Sequence, residues 1–284
     1  MKVLVTGSNG YLGQGIVIEL LKLGHEVIGT DFSTNSFIPL HPHFTYIGGD
    51  LFNIDHPFEY FKNPDVLLHL AWKDGFVHNS DAHMGCLNQH VVFLKKMFES
   101  NIKQIAVMGS MHEVGFFEGS INENTPCHPQ TLYGIAKNAL RDIVYMLSKN
   151  SDKTVQWLRG YYIVGNNASG VSIFSKIAKA EQSRQKLFPF TMGQNQYDFL
   201  DYEDFCKRVA LAVTQNKIDG IINISSGKPE KLADRVERFI RDNGYNIKLD
   251  YGKFPDRPYD SKAIWGNSDK IDRIIQEADI HSKV

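Results

Sequence analysis

The chain opens on Lys2-Val3-Leu4-Val5-Thr6-Gly7-Ser8-Asn9-Gly10-Tyr11-Leu12-Gly13, an aliphatic run that leads straight into three glycines spaced three apart. From Tyr11 to Leu23 the pattern is helical and stops at Gly24. A helix that starts directly after a strand and a glycine turn offers unpaired N–H groups and a partial positive charge, which suit a phosphate. Glycines there let a pyrophosphate approach the main chain and let helix and strand pack closely. The spacing departs from the Gly-x-Gly-x-x-Gly dinucleotide fingerprint, and a tight turn with no ligand is the plainer alternative. Asp31 adds to the first reading. It closes the run Glu26-Val27-Ile28-Gly29-Thr30 about twenty residues on, where a carboxylate accepts hydrogen bonds from an adenosine ribose. That charge repels a 2′-phosphate and no arginine sits beside it, so NAD(H) is expected rather than NADP(H). A simple turn aspartate is the alternative. Asp50-Leu51, after a third β-rich run at 44–47, is expected to frame the adenine.

Outward from this turn, strand-like runs at Asp65–Leu70, Gln104–Met108 and Val155–Arg159 alternate with helical stretches at Asp81–Ser100 and Leu132–Ser148. Such alternation predicts βαβ units and a parallel sheet. The fold expected is α/β, a Rossmann-type doubly wound parallel sheet over residues 1–165, to which about 196–224 return. A smaller C-terminal lobe is expected from 166–195 and 225–284, with helices at Lys231–Asp242 and Asp269–Ala278.

The 284 residues are 42% hydrophobic and 22% charged, with a formal net charge of −1. That composition is that of a globular protein and gives no electrostatic sign of nucleic acid or an anionic membrane as partner. No apolar run reaches membrane-spanning length, and the N-terminus has no signal-peptide pattern. The three widely spaced cysteines suggest neither a disulfide framework nor a zinc site, and point to a reducing cytoplasm. Eleven histidines, among them His41, His43, His83 and His90, show no zinc-like spacing, so no metal is expected.

Tyr133-Gly134-Ile135-Ala136-Lys137 places a phenol and an ammonium four residues apart on one helix face. A free phenol, with a pKa of about 10, exchanges protons poorly at neutral pH, and a neighbouring Lys⁺ favours the phenolate. Alone, such a pair often only decorates a solvated helix. Ser110, however, follows the run ending at Met108, at a strand C-terminus where open α/β sheets place their sites. Its hydroxyl suits a reacting carbonyl or alcohol oxygen while Tyr133 moves the proton.

Thr6 to Gly13, Asp31, Asp50-Leu51, His69-Leu70-Ala71, Ser110, Tyr133-x-x-x-Lys137 and Leu158-Arg159 occur in the order seen in extended short-chain dehydrogenases/reductases. The chain resembles, more narrowly, the sugar-nucleotide epimerase/dehydratase/reductase group. The resemblance implies that Tyr133 exchanges a proton with the sugar C4 oxygen, Ser110 orients that oxygen, and Lys137 holds the nicotinamide ribose and lowers the tyrosine pKa. It also implies that Gly7, Asn9, Gly10, Tyr11, Leu12 and Gly13 bind the dinucleotide, that Leu70, Ala71 and Trp72 line its cleft, and that the enzyme is a homodimer through the helices at 81–100 and 132–148.

The departures from the family pattern bear on the reaction. Dehydratases of the group carry Thr-Asp-Glu where this chain has Ser110-Met111-His112, so water elimination is not expected. His112 or Glu113 is a candidate replacement acid/base, and a polar loop residue is the alternative. Tyr162 stands where many relatives place a substrate-binding asparagine, and Tyr197 where epimerases place a diphosphate-binding arginine. Arg257, in Asp256-Arg257-Pro258-Tyr259-Asp260-Ser261, resembles a nucleotide-contacting arginine of deoxysugar reductases. A surface arginine before a proline turn is the alternative. Met111, His112, Tyr162, Tyr197 and Arg257 are therefore the expected substrate contacts. The reaction expected is NAD(P)H-dependent reduction of a 4-keto nucleotide sugar. A C4 epimerase with bound NAD is the runner-up, and a non-catalytic NAD(H)-binding sensor or scaffold is the reading from another class.

Overall fold

The computed structural model describes residues 1–165, 172–255 and 261–281. The first half runs β1 (Lys2–Thr6), α1 (Tyr11–Lys22), β2 (Glu26–Thr30), β3 (Phe44–Tyr46), α2 (Pro57–Tyr60), β4 (Val66–His69), α3 (Ala82–Gly85), α4 (Leu87–Glu99), β5 (Gln104–Ser110), β6 (Gly119–Ile121), α5 (Leu132–Ser148) and β7 (Thr154–Gly160). The second half runs β8 (Tyr162–Val164), α6 (Ile173–Gln182), β9 (Leu187–Pro189), β10 (Gln196–Asp201), α7 (Tyr202–Val213), β11 (Gly220–Ile224), β12 (Pro229–Lys231), α8 (Leu232–Asp242), β13 (Lys248–Asp250), β14 (Ala263–Gly266) and α9 (Asp269–His281).

Seven strands form one parallel sheet in the order β11-β7-β5-β4-β1-β2-β3. The chain leaves β1 in one direction for β2 and β3, then crosses to β4 on the other side. The crevice at the C-terminal ends of β1 and β4 is thus the topological switch point, where such sheets bind ligands. β4 and β5 are buried at every position, as strands covered on both faces must be. Val3, Val5, Val66 and Leu68 face a layer made by α1, α7 and α9. Leu4, Leu67, Ile105 and Val107 face α4 and α5 on the other side. That alternation is the period of two of a strand between two helical layers.

Local details differ from the sequence reading in places with physical causes. The helix expected over 81–100 breaks at Cys86 into α3 and α4, directly after Gly85, a residue that weakens helix continuity. β5 continues through Gly109 to Ser110, because the ladder to β7 persists as far as Ser110 opposite Gly160. β10, at the start of the segment expected to return to the first sheet, belongs instead to a second sheet of order β12-β10-β14-β6, with β8 also paired to β10. α9, expected in the smaller lobe, packs Ile271 and Ile274 into the first core beside α7 and lies against β11, the edge strand. An amphipathic helix is stable only where its apolar stripe is buried, and that edge supplies the cover.

Two polar features tie the layers together. Asp198 of β10 is fully buried, and its carboxylate accepts from Ser226 N, Ser226 Oγ, Gly227 N and Gly266 N at 2.6 to 3.1 Å. Tyr202, the first residue of α7, reaches α1: its hydroxyl donates to Tyr11 O and accepts from Gly15 N, the latter at 3.1 Å. Those two groups are the i and i+4 partners of an ordinary helical bond. The phenol is therefore inserted into the first turn of α1, and a side chain at Gly15 would meet it at 2.6 Å.

Candidate active site

The glycine turn joins β1 to α1. Gly7 has φ +71°, and a Cβ there would lie 2.8 Å from Ala71 N. A Cβ on Gly13 would lie 2.2 Å from Gly7 O. The chain's own packing therefore demands both glycines. Gly10 is different: it is exposed, a Cβ there would meet Gly7 O at 3.1 Å, and no side chain caps the helix from it. As at any helix start, the first-turn N–H groups of Tyr11, Leu12 and Gly13 have no intrahelical partner, which fits a pyrophosphate.

Asp31 follows β2 and accepts from Asn9 N at 3.1 Å and Phe32 N at 2.8 Å, one amide on each oxygen. A carboxylate offers roughly four acceptor positions, so capacity for a ribose remains. Other expected contacts are committed elsewhere. The Asn9 side chain is spent on Asn35 O, Tyr46 Oη and Phe37 N, holding the 33–37 loop to the turn. Asp50 accepts from Phe52 N and Asn53 Nδ2, and Leu51 is buried in the second core. The Tyr11 ring packs on Tyr202 at 4.6 Å, and Leu12 and Leu70 border the first core.

Ser110, Tyr133 and Lys137 converge where the end of β5 meets the start of α5. Thr131 caps α5, accepting from Gly134 N at 3.1 Å, and thereby sets the first turn that carries Tyr133. The Ser110 hydroxyl accepts from His112 N at 3.2 Å and lies near enough to the Tyr133 phenol to lower its pKa. Lys137 Nζ donates to Met108 O at 2.8 Å and lies 3.8 Å from the centroid of the Trp72 ring. Burial pulls the Lys137 ammonium down to about 7, against the raising influence of the Glu113 carboxylate. Burial pushes the Tyr133 phenol up to about 12, with the Ser110 hydroxyl opposing and Glu113 reinforcing. The expectation that Lys137 lowers the tyrosine is thus corrected for this site: the ammonium lies 6.0 Å from the Tyr133 ring centroid, and desolvation of the phenol prevails.

Aromatic side chains surround Tyr133. His78 stacks on it at 5.5 Å, while His83, His112 and Trp72 approach at angles, at 5.3, 6.0 and 6.1 Å. His78 O also accepts from Tyr133 N at 2.9 Å, so the loop that leaves β4 fixes the start of α5. His78 had no sequence signal beyond its place in that loop. Glu113 is fully buried: it accepts from Ser110 N at 2.6 Å and Trp157 Nε1 at 2.7 Å, and pairs with Arg141 and Arg159, both at 3.4 Å. It is a structural anion and not a substitute acid. Its link to Ser110 is a capping box, which Ser110-Met111-His112-Glu113 spells out in sequence. His112 stands 4.3 Å from His78, and burial lowers it to about 4.

Met111 carries the site toward the second sheet. It packs in a cluster with Tyr161 and Ile264, against which Tyr162 and Tyr197 also lie. The Tyr162 and Tyr197 rings are 4.6 Å apart, and Tyr197 Oη accepts from Asn195 Nδ2 at 3.3 Å. The structure therefore brings together Ser110, Met111, His112, Tyr133, Lys137 and Trp72, with Tyr162 and Tyr197 beside Met111. Arg257 lies outside the described residues.

Residues 3–225 match the NAD dependent epimerase/dehydratase family. Among curated relatives, a dTDP-6-deoxy-L-talose 4-dehydrogenase (NAD(+)) of Aggregatibacter actinomycetemcomitans is 42% identical over 274 residues, covering 94% of this chain and 99% of that protein. A putative UDP-arabinose 4-epimerase of Arabidopsis thaliana is 24% identical, covering 95% of this chain and 70% of that protein. Among solved structures, a UDP-N-acetylglucosamine 4-epimerase from Methanobrevibacter ruminantium superposes with a TM-score of 0.82 at 20% identity, covering 96% of this chain and 91% of that one.

Proposed function

The chain belongs to the NAD dependent epimerase/dehydratase family, and from that premise we propose that it reduces the C4 keto group of a dTDP-linked 6-deoxysugar, with NADH as cofactor. The observation that carries this reading is the Ser110–Tyr133 pair, with its phenol held protonated by burial. Reduction of a ketone needs a hydride at carbon and a proton at oxygen. The cofactor, when bound at the glycine turn, supplies the hydride. The Ser110 hydroxyl orients the C4 oxygen, and Tyr133 delivers its proton to that oxygen as negative charge develops on it. A phenol raised to about 12 is fully loaded for that task at neutral pH. Lys137, in a positively charged state, orients the cofactor ribose.

Similarity at 42% identity along nearly the whole of both chains supports the deoxysugar reading over a hexose epimerase. So does the replacement, at Tyr162 and Tyr197, of the two polar anchors typical of epimerases. Asp31, with no cation paired to it among the described residues, supports NADH over NADPH. The exposed Met84, Val92, Ile135 and Met146 on α3, α4 and α5 support a homodimer through those helices. Three free cysteines fit a cytoplasmic setting, and no helix among the described residues is long and apolar enough to cross a membrane. The test is an assay of purified protein with NADH and a dTDP-4-keto-6-deoxysugar. Stoichiometric loss of NADH supports the reductase; interconversion of C4 epimers without net NADH loss overturns it.

A further inference from the structure

We propose that Trp72 is a positioning residue for Lys137, its indole face forming the seat on which the catalytic ammonium rests. The proposal takes the assignment of Lys137 from the reading above and adds what holds it in place.

The ammonium is almost wholly buried; among the described residues it donates to Met108 O at 2.8 Å and lies 3.8 Å from the centroid of the Trp72 ring. The carboxylate whose charge it feels, Glu113, pairs instead with Arg141 and Arg159. A cation over an indole face is attracted by the ring quadrupole, and most strongly where water is excluded.

The indole itself is held at edge and face. Its Nε1–H donates to His83 Nδ1 at 3.1 Å, and His83 Nε2 donates in turn to Val77 O at 2.9 Å. Its face stacks on His90 at 4.6 Å, with the planes 19° apart. His90 is fixed from behind by a chain whose direction the geometry determines. Thr6 Oγ1 accepts from Leu70 N and Ala71 N, both at 3.2 Å, so its own proton goes to His69 Nδ1 at 2.8 Å. His69 must then carry its proton on Nε2 and donate to His90 Nδ1 at 2.9 Å. One continuous set of contacts therefore runs from the last residue of β1, beside the glycine turn, through two histidines to the indole and the ammonium. A tryptophan that only filled space would not need its N–H, its stacking partner and the support of that partner to be fixed in turn.

The groups that face Lys137 are Glu113 from the 3-10 turn after β5, His69 from β4, His90 from α4 and Tyr133 from its own helix. Burial keeps both histidines uncharged at neutral pH, so neither competes with the ammonium. Replacing Trp72 deletes none of these four groups; it removes the π face, together with the Nε1–H bond to His83 and the stacking partner of His90.

The experiment follows the lysine side-chain carbon resonances of cofactor-free, ¹³C-lysine-labelled protein through a pH titration, with Lys137→Met identifying the signal. Trp72→Leu is expected to lower the Lys137 midpoint by about one pH unit, and Trp72→Phe, which keeps a weaker face, by less. NADH affinity, read by fluorescence at a pH above the lowered midpoint, is expected to fall in the same order. Should Trp72→Leu not fold, Trp72→Phe decides alone by its smaller fall in the midpoint. A midpoint that stays unchanged, or rises, in the variants that fold overturns the proposal. Because the titration uses neither sugar nor cofactor, its outcome is independent of whether the deoxysugar assay succeeds.

Discussion

At Tyr133 and Lys137 one cause has two opposite results. Burial raises a phenol and lowers an ammonium, because each is driven toward its uncharged form. Removing the phenolic oxygen by Tyr133→Phe is expected to cut turnover by roughly 10²- to 10⁴-fold while leaving NADH binding in a fluorescence titration nearly unchanged. A loss confined to cofactor binding would contradict the acid role. The same two shifts set the pH dependence. The phenol keeps its proton through the neutral range, whereas Lys137 loses its charge as pH rises through about 7. The alkaline limb of kcat/KM for reduction is therefore expected near neutrality and assigned to Lys137, and Lys137→Arg is expected to move it upward. A limb that appears only near 10 in the wild type would show that the lysine is not the group titrating. That Ser110, Tyr133 and Lys137 would lie together was expected from their places in the chain and from the family resemblance. What spacing did not contain was desolvation, which depends on the histidines, Trp72 and core residues that crowd in from other elements.

At the scale of elements, the short turn after β5 depends on Glu113. Glu113→Gln leaves Arg159, which is fully buried, and Arg141 without their anion and is expected to cost about 3–5 kcal/mol, read as a lower urea midpoint. If stability were unchanged, the carboxylate would not be the anchor that its burial and hydrogen bonds indicate. Sequence reading offered Glu113 as a replacement acid, although the capping box it forms with Ser110 is a local pattern of four residues. The elements around it were mostly legible because their periodicities are local: α1, α5 and the strands of the first sheet each bury a face that the pattern announces. The three-residue strands β6, β8 and β12 carry no such period. They exist because β10 and β14 lie beside them, and that neighbourhood is made by residues far apart in the chain.

For the whole molecule, acid is expected to be more destructive than the modest net charge suggests. His69 and His90 are buried and their folded-state pKa values are depressed, His90 to about 3. An unfolded chain binds protons at these histidines below about 6.5 while the folded chain does not. Their contribution is therefore fully present above that pH and is lost as pH falls from about 6.5 toward the folded values, at up to about 1.4 kcal/mol per pH unit for each ring. Urea midpoints measured at pH 7.5 and 5.5 should differ accordingly, and a His90→Phe variant should lose part of that difference; equal midpoints would exclude the linkage. The placement of α9 against the first sheet, and of β10 in the second, likewise belongs to this scale. Both follow from which apolar surfaces remain to be covered once the other elements have packed, and no window of sequence contains that.

The phenol of Tyr202 gives the molecule an internal conversation. It closes a gap in the first turn of α1, where a pyrophosphate fits, and it begins α7 directly after the strand that presents Tyr197. If dinucleotide bound at this turn changes the affinity for the sugar, equilibrium requires that the sugar change the affinity for the dinucleotide by the same factor.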